Sequence, residues 1–248
     1  MRLTVFTCVI GATDPLRRPR IHNRSVRYVC FSDVQQSVPP YTTILIPKAD
    51  NHKLQSREIK ILANHPALGN CDATLWHDAA FRLDCDPLKV ASFLLDDTNM
   101  VALRHPHRDT IEEEAEAINK WGWIPMETMQ AQIASYRADG FKQQHITSTG
   151  LCFRRRTPAL DAFNLFWWAQ VQQWGWRDQM SVDYALWKTG VRPHYIPGHY
   201  RDNTYAKWFQ ADPEGRSRQP FSRQRQYPER PRRMLPVKSI GYRNVRRS

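Results

Sequence analysis

The sequence predicts an α/β fold in which helices pack on one mainly parallel sheet. Strand-length runs rich in β-branched and aromatic residues recur from the N-terminus to about residue 197. Helix-length amphipathic runs separate several of them, the alternation that builds parallel sheets, and no internal repeat interrupts it. The length, 248 residues, suits one sizeable domain or two small ones, and a 41% hydrophobic content with nine Trp supplies a core.

In order, the strand-like runs are "RLTVFTCVI", "VRYVCFS", "TTILIP", "ATLWH", "NMVALRH", "ITSTGLCFR" and "RPHYIP". The first has the short apolar stretch of a leader peptide, but its composition, closed by Gly11-Ala12-Thr13-Asp14-Pro15, reads as a core strand. "SREIKILANHP" reads as a short helix, and "DPLKVASFLLDD" opens with an Asp86 cap and Pro87 in the first turn. "DTIEEEAEAINKWG" carries its glutamates at the front, where the helix dipole favours them. "PMETMQAQIASYRADG" stops at Asp139-Gly140. "TPALDAFNLFWWAQVQQWG" places Leu160, Phe163, Trp167, Val171 and Trp174 on one face, and "RDQMSVDYALWKTG" does so with Met180, Tyr184 and Trp187.

Several function classes lack their motifs. There is no G-x-G-x-x-G, no G-K-[ST] and no G-x-S-x-G, so nucleotide-loop and serine-hydrolase chemistry is unsupported. Five cysteines with no C-x-x-C pair argue against a disulfide framework or zinc knuckle and favour a reducing, cytoplasmic setting. No apolar run reaches the roughly 20 residues that a membrane-spanning helix needs.

The candidate chemistry sits at strand ends. "ATLWHDAA" stops at His77 and Asp78 beside small residues: either a polar turn, or a place where an oxygen ligand meets Mg²⁺ or Mn²⁺ and a bulky ligand approaches the backbone. "RHPHRD" puts His105 and His107 on one side of an extended segment with Arg104 and Arg108, as loop residues, metal ligands or an anion site. Asp178 and Gln179 open a helical run, with Asp178 either its N-cap or a general base or sugar-hydroxyl acceptor. His194 and His199 flank the turn Pro197-Gly198, and Lys60 is a solvated cation or a phosphate partner.

Taken in register, "FTCVIGATDPL", "RYVCFSD", "SREIKILANHP", "LWHDAAFRLDCDP", "ALRHPHRDTIEEEAEA", "TGLCFRRRTPAL" and "FWWAQVQQWGWRDQMSVDYAL" resemble the TOD/MUCI glycosyltransferase-like family over about residues 3 to 190. That resemblance implies a GT-A-like domain with a Rossmann-like sheet and a nucleotide-sugar at the strands' carboxyl ends. Asp78 would match the family's acid in W-[IH]-D, which replaces a D-x-D motif; Ala80 stands where the second acid would be. The implied donor site comprises Thr7, Lys60, His77, Asp78, Arg104 and His105. Asp178 and Gln179 would be catalytic, and a divalent cation, Mn or Mg, would sit on Asp78 with His194 and His199. The expected reaction is transfer of a sugar from a nucleotide-sugar to a hydroxyl acceptor, on a glycan or on a hydroxymethylated base in DNA.

Charge divides the chain. The formal net charge is +12, yet residues 216–248 hold eleven Lys or Arg and one acid, leaving the rest nearly neutral. The expected division is therefore a catalytic domain over 1–205 and an irregular basic tail over 206–248. In the tail Arg223, Arg225, Arg230, Arg232 and Arg233, interleaved with Phe221, Tyr227 and Tyr242, suit nucleic acid or another polyanion. A second reading follows: a GT-A-like module that has lost its metal acid and binds such a polyanion without catalysis.

Overall fold

The computed structural model describes residues 1–11, 14–211 and 217–218. Seven strands form the main sheet: β1 (Leu3–Val9), β2 (Arg27–Ser32), β3 (Thr42–Leu45), β4 (Ala73–His77), β6 (Met100–Arg104), β7 (Thr147–Arg155) and β8 (His194–Tyr195). Their spatial order is β3-β2-β1-β4-β7-β6-β8. β1 to β4 pair in parallel, as do β6 and β8, and β7 runs antiparallel between β4 and β6. All seven expected strands are present, and the sheet is mainly parallel as expected. Four short strands escaped the sequence reading: β5 (Phe81–Leu83) pairs antiparallel with β9 (Ala206–Trp208), which continues the body past residue 205, and β10 (Gln210–Ala211) pairs antiparallel with β11 (Ser217–Arg218).

The central strands are buried on both faces, which is why they read as continuous apolar runs. β6 shows the division: Val101 and Leu103 join a core with Leu75, Phe81 and Ala91, whereas Met100 and Ala102 join Ile61, Trp167 and Val182 on the other face. The first core is covered by helix α2 (Pro87–Leu94), capped by Asp86 as expected. The second is covered by α1 (His52–Leu62), α5 (Pro158–Trp174) and α6 (Val182–Thr189). Helices α3 (Ile111–Lys120) and α4 (Met126–Ala138) form a smaller core with Met180 and Tyr184. A capping box between Thr110 and Glu113 starts α3.

Three local expectations fail for physical reasons. Helix α1 begins earlier than the apolar pattern suggested, because the Asn51 side chain caps the Leu54 amide at 3.0 Å. The run from Arg177 is not one helix: Asp178–Met180 is a single 3-10 turn, and α6 starts after Ser181. Trp187 lies at the edge of the expected face, its ring against Tyr184 and Phe141 yet 45% exposed, while Met180 and Tyr184 are buried.

Strand β7 also fixes α1. The buried Arg154 donates to the carbonyls of Lys60 and Ile61 and to Asn164, and Arg156 donates to the carbonyl of Ala63. Four carbonyls end any helix without intrahelical donors; here Arg154 of β7 and Arg156 just beyond it serve three residues at that end.

Candidate active site

The site grows from three segments: the end of β4, the middle of β7 and the Asp178 turn. β4 ends at His77, and the turn that follows is closed by Asp78 N–H donating to Gly150 O (2.8 Å) and Phe81 N–H donating to Asp78 O (2.9 Å). Ala79 and Ala80 are buried in this turn, which accounts for their size. The Asp78 carboxylate stays partly open, with 40% of its side chain exposed. One of its oxygens accepts from Trp76 Nε1 at 2.8 Å and lies 3.8 Å from Lys60 Nζ.

Gly150 is a site residue that sequence reasoning passed over. A Cβ there would stand 2.9 Å from the Phe81 ring and 3.0 Å from Asp78 Oδ2, so β7 needs a glycine for Asp78 to lie against it. Beside it, Thr149 Oγ1 donates to Asp178 Oδ2 at 2.9 Å.

Asp178 is 1% exposed and carries the densest charge pairing. Lys60 Nζ donates to Oδ2 at 2.6 Å and also to Thr149 Oγ1 at 2.9 Å, while Arg57 Nε pairs with Oδ1 at 3.1 Å. Burial alone would raise its pKa, but Lys60, Arg57 and Arg177 outweigh burial and hold it well below the usual carboxylate range. The expected general-base role therefore fits this geometry poorly, because so acidic a group is a weak proton acceptor and both oxygens are engaged. What the carboxylate does is fix two cations, Lys60 and Arg57, three residues apart on one face of α1. Nor is it an N-cap: Arg177 precedes the turn, and no side chain caps it. Gln179 is buried beside it.

His77 is fully buried, and both ring nitrogens have protein partners: Nδ1 faces the Asp78 carbonyl at 3.0 Å and Nε2 faces Tyr41 Oη at 2.8 Å. Burial pushes its pKa down to about 4, so the ring is neutral, donating from Nδ1 and accepting from Tyr41. It holds the end of β4 and leaves no nitrogen for a ligand. Thr7 is also fully buried, on β1, and its hydroxyl has no hydrogen-bond partner among the described residues.

The other expected residues among those described make no hydrogen bond to Asp78, Lys60 or Asp178, although His105, with Arg108 Nη2 3.0 Å from its Nε2, belongs to a neighbouring cluster. His105 is buried; its Nδ1 accepts from the Arg108 amide at 3.1 Å, and its ring packs beside His107 and Tyr200. Arg104 ends β6 with its guanidinium 5.2 Å from the Tyr195 ring centre. His194 lies on edge strand β8, and His199 forms a bridge with Asp202. Among the described residues no three His, Cys, Asp or Glu come together to hold a metal ion, so Asp78, His194 and His199 do not make the expected centre. Asp14 lies near enough to Asp78 that, after burial, the neighbouring charge helps raise its pKa. Arg223, Arg225, Arg230, Arg232 and Arg233 fall outside the described residues. No helix among the described residues is long and apolar enough to cross a membrane.

A second ionic cluster adjoins the first. Glu114 is fully buried and accepts from Arg108 Nε (2.5 Å) and from Arg177 Nε (2.9 Å), with Arg177 Nη2 at 2.8 Å. Of the three glutamates read as a dipole cluster, this one turns inward and anchors the residue before Asp178.

No curated protein matches the chain. Among solved structures, the apo form of mouse xyloside xylosyltransferase 1 is similar, at 7% identity and a TM-score of 0.41, over 79% of this chain and 85% of that one. The family model described as TOD1/MUCI70, glycosyltransferase-like domain, matches residues 47–210, a span that holds Lys60, Asp78, Gly150 and Asp178. On that match the chain belongs to the TOD1/MUCI70 glycosyltransferase-like family.

Proposed function

We propose that this chain transfers a sugar from a nucleotide-sugar to a hydroxyl acceptor, with the donor diphosphate at the turn after β4. The observation that carries this reading is the Asp78–Lys60–Asp178–Arg57 network. It sets a half-open carboxylate and two fixed cations at the carboxyl end of a parallel strand, the side of an open α/β sheet that takes ligands. In such a reaction the bond from the anomeric carbon to the diphosphate breaks, and charge builds on the leaving group. Cations held in place before the reaction stabilise that charge without reorganising. Arg57 is the better placed to meet the donor, with 19% of its side chain exposed against 4% for Lys60. Asp178 then acts as a positioning residue for both.

The described residues do not form a protein cage for a divalent cation, and no step here depends on one. Whether a cation adds to donor binding is one arm of the test. Thermal melts of the wild type and Asp78→Ala would be recorded with UDP-, GDP-, ADP- and CDP-sugars, with and without Mn²⁺. A ligand that binds only the folded state raises its apparent stability. The expected result is a rise with one nucleotide class, reduced in the variant, together with slow hydrolysis of that donor. If no nucleotide-sugar stabilises the wild type, the reading fails.

A further inference from the structure

Beyond the charged network lies an exposed aromatic surface that the donor reading leaves unused. Trp121 closes α3, and Gly122, at φ +64°, turns the chain so that Trp123 comes alongside. Their ring centres are 4.5 Å apart at 41°, and Trp176 continues the row at 5.3 Å and 45°. Trp121 is 49% exposed and Trp123 38%, against 1% for the core residue Trp167. A contiguous exposed aromatic patch on a folded chain marks a place of contact.

The rim of this patch is cationic. Lys53 Nζ stands 4.6 Å from the Trp176 ring centre and Arg57 5.9 Å; Arg177 stands 5.5 Å from Trp123, and Arg108 5.8 Å from Trp121. These side chains only donate hydrogen bonds, as do the indole N–H groups. The complementary ligand has a flat apolar face for the indoles and acceptor oxygens at its edge. A pyranose ring has both: C–H groups across its face and hydroxyl oxygens around it.

Continuity places the patch relative to the reaction centre. The two oxygens of Asp178 point two ways, Oδ2 to Lys60, which leads on to Asp78, and Oδ1 to Arg57, which leads to Trp176. We infer that Trp121, Trp123 and Trp176, rimmed by Lys53, form the platform on which an acceptor carbohydrate stacks, next to the donor diphosphate that Arg57 faces. This rests on the donor reading for its direction, and it takes a glycan as the acceptor, with nucleic-acid binding as an outcome of the test.

The test uses the full chain and separates acceptor from donor. Binding of soluble neutral and uronate-containing oligosaccharides would be followed by saturation-transfer NMR and calorimetry, and nucleotide-sugar binding by thermal shift, for the wild type, Trp123→Ala, Trp123→Phe and Trp121→Ala. The expected result is that the wild type binds an oligosaccharide and that each alanine variant weakens this at least tenfold. Trp123→Phe would retain most of the binding, and the nucleotide-sugar shift would persist in all variants. Circular dichroism checks folding, with Trp123→Phe as the variant least prone to disturb it. Three results would overturn the platform. The wild type could respond to a nucleotide-sugar yet bind no oligosaccharide; the alanine variants could lose nucleotide-sugar or DNA binding while keeping oligosaccharide; or light scattering could show a dimer that the variants dissolve. A wild type that binds oligosaccharide and answers no nucleotide-sugar would fail the donor reading and leave the platform standing.

Discussion

Asp178 and Glu114 are two buried carboxylates with matching partners, and they serve different ends. Each holds two cations: Lys60 and Arg57 on Asp178, Arg108 and Arg177 on Glu114. Glu114 is closed, since its arginines come from the segment before α3 and from the Asp178 turn, and end against Trp121 and Trp123. Asp178 is open, since Lys60 reaches on to Asp78, whose carboxylate meets solvent. Burial and pairing alone thus do not distinguish a reaction centre from a brace, because both clusters have them. On the proposed function, what marks the reaction centre is the exposed member at the end of the chain of contacts, Asp78. The two clusters also share a joint: Arg177 and Asp178 are neighbours, and each is pinned by the opposite charge.

The sharpest difference is expected from removing each anion. Asp178→Ala strands Lys60 and Arg57 in the interior and should cost about 3–5 kcal/mol of stability while abolishing transfer. A variant that melts like the wild type and still transfers sugar would erase the distinction. Asp78→Asn should lower transfer on the order of a hundredfold, because its carboxylate orients Lys60 from the open side and small misplacements cost about that much, yet shift stability by under ~1 kcal/mol because the group is half-exposed. Rates and melts of one preparation decide it. Glu114→Gln should do the opposite, losing about 2–4 kcal/mol while leaving nucleotide-sugar affinity in the folded fraction within about threefold. An affinity lost in proportion to stability would make Glu114 part of the site. Gly150→Ala should cost about 1–3 kcal/mol by overpacking and push Asp78 away, so its loss of rate should exceed its loss of stability.

The smallest effect expected in the wild type is a net pH dependence, because two buried groups oppose each other. His77 titrates at about 4 in the folded chain against an ordinary 6.5. The unfolded chain therefore binds more protons in that window, and stability falls as pH drops from 6.5 to 4. Asp183, raised by burial to about 6 from 3.8, takes up its proton in the folded chain first, so its contribution grows as pH drops from 6 towards 3.8. Denaturant titrations should show His77→Gln gaining stability on acidification over that range relative to wild type, and Asp183→Asn losing it.

Strands were the most legible part of this sequence, because the central ones are buried on both faces and read as uninterrupted apolar runs. β5 and β9, three residues each, carry too little pattern to be seen alone. The site was legible by its ends and not by its connections. His77-Asp78 stood out as a polar stop, but Lys60 and Asp178 lie 118 positions apart, and no local spacing announces such a pair. Asp178 at the start of a polar turn looks like a cap; only the tertiary partner shows otherwise. Arg57 left one signal, a cation three residues before Lys60 on a helix whose apolar face, with Leu54 and Ile61, packs inward. Gly150 left none beyond its place in a strand, where a glycine invites the question of what lies against it.

The antiparallel course of β7 has a mechanical consequence. β7 and the residue that follows it grip α1 by the carbonyls at its end, through Arg154 and Arg156, and by Lys60 through Thr149. The helix is a beam clamped at that end, not a piston. Sliding it would release two guanidinium anchors and a buried ammonium at once. The spacing between Lys60 and Arg57 is thus built into the frame, and a substrate that needs room must win it from the loops, not from this helix.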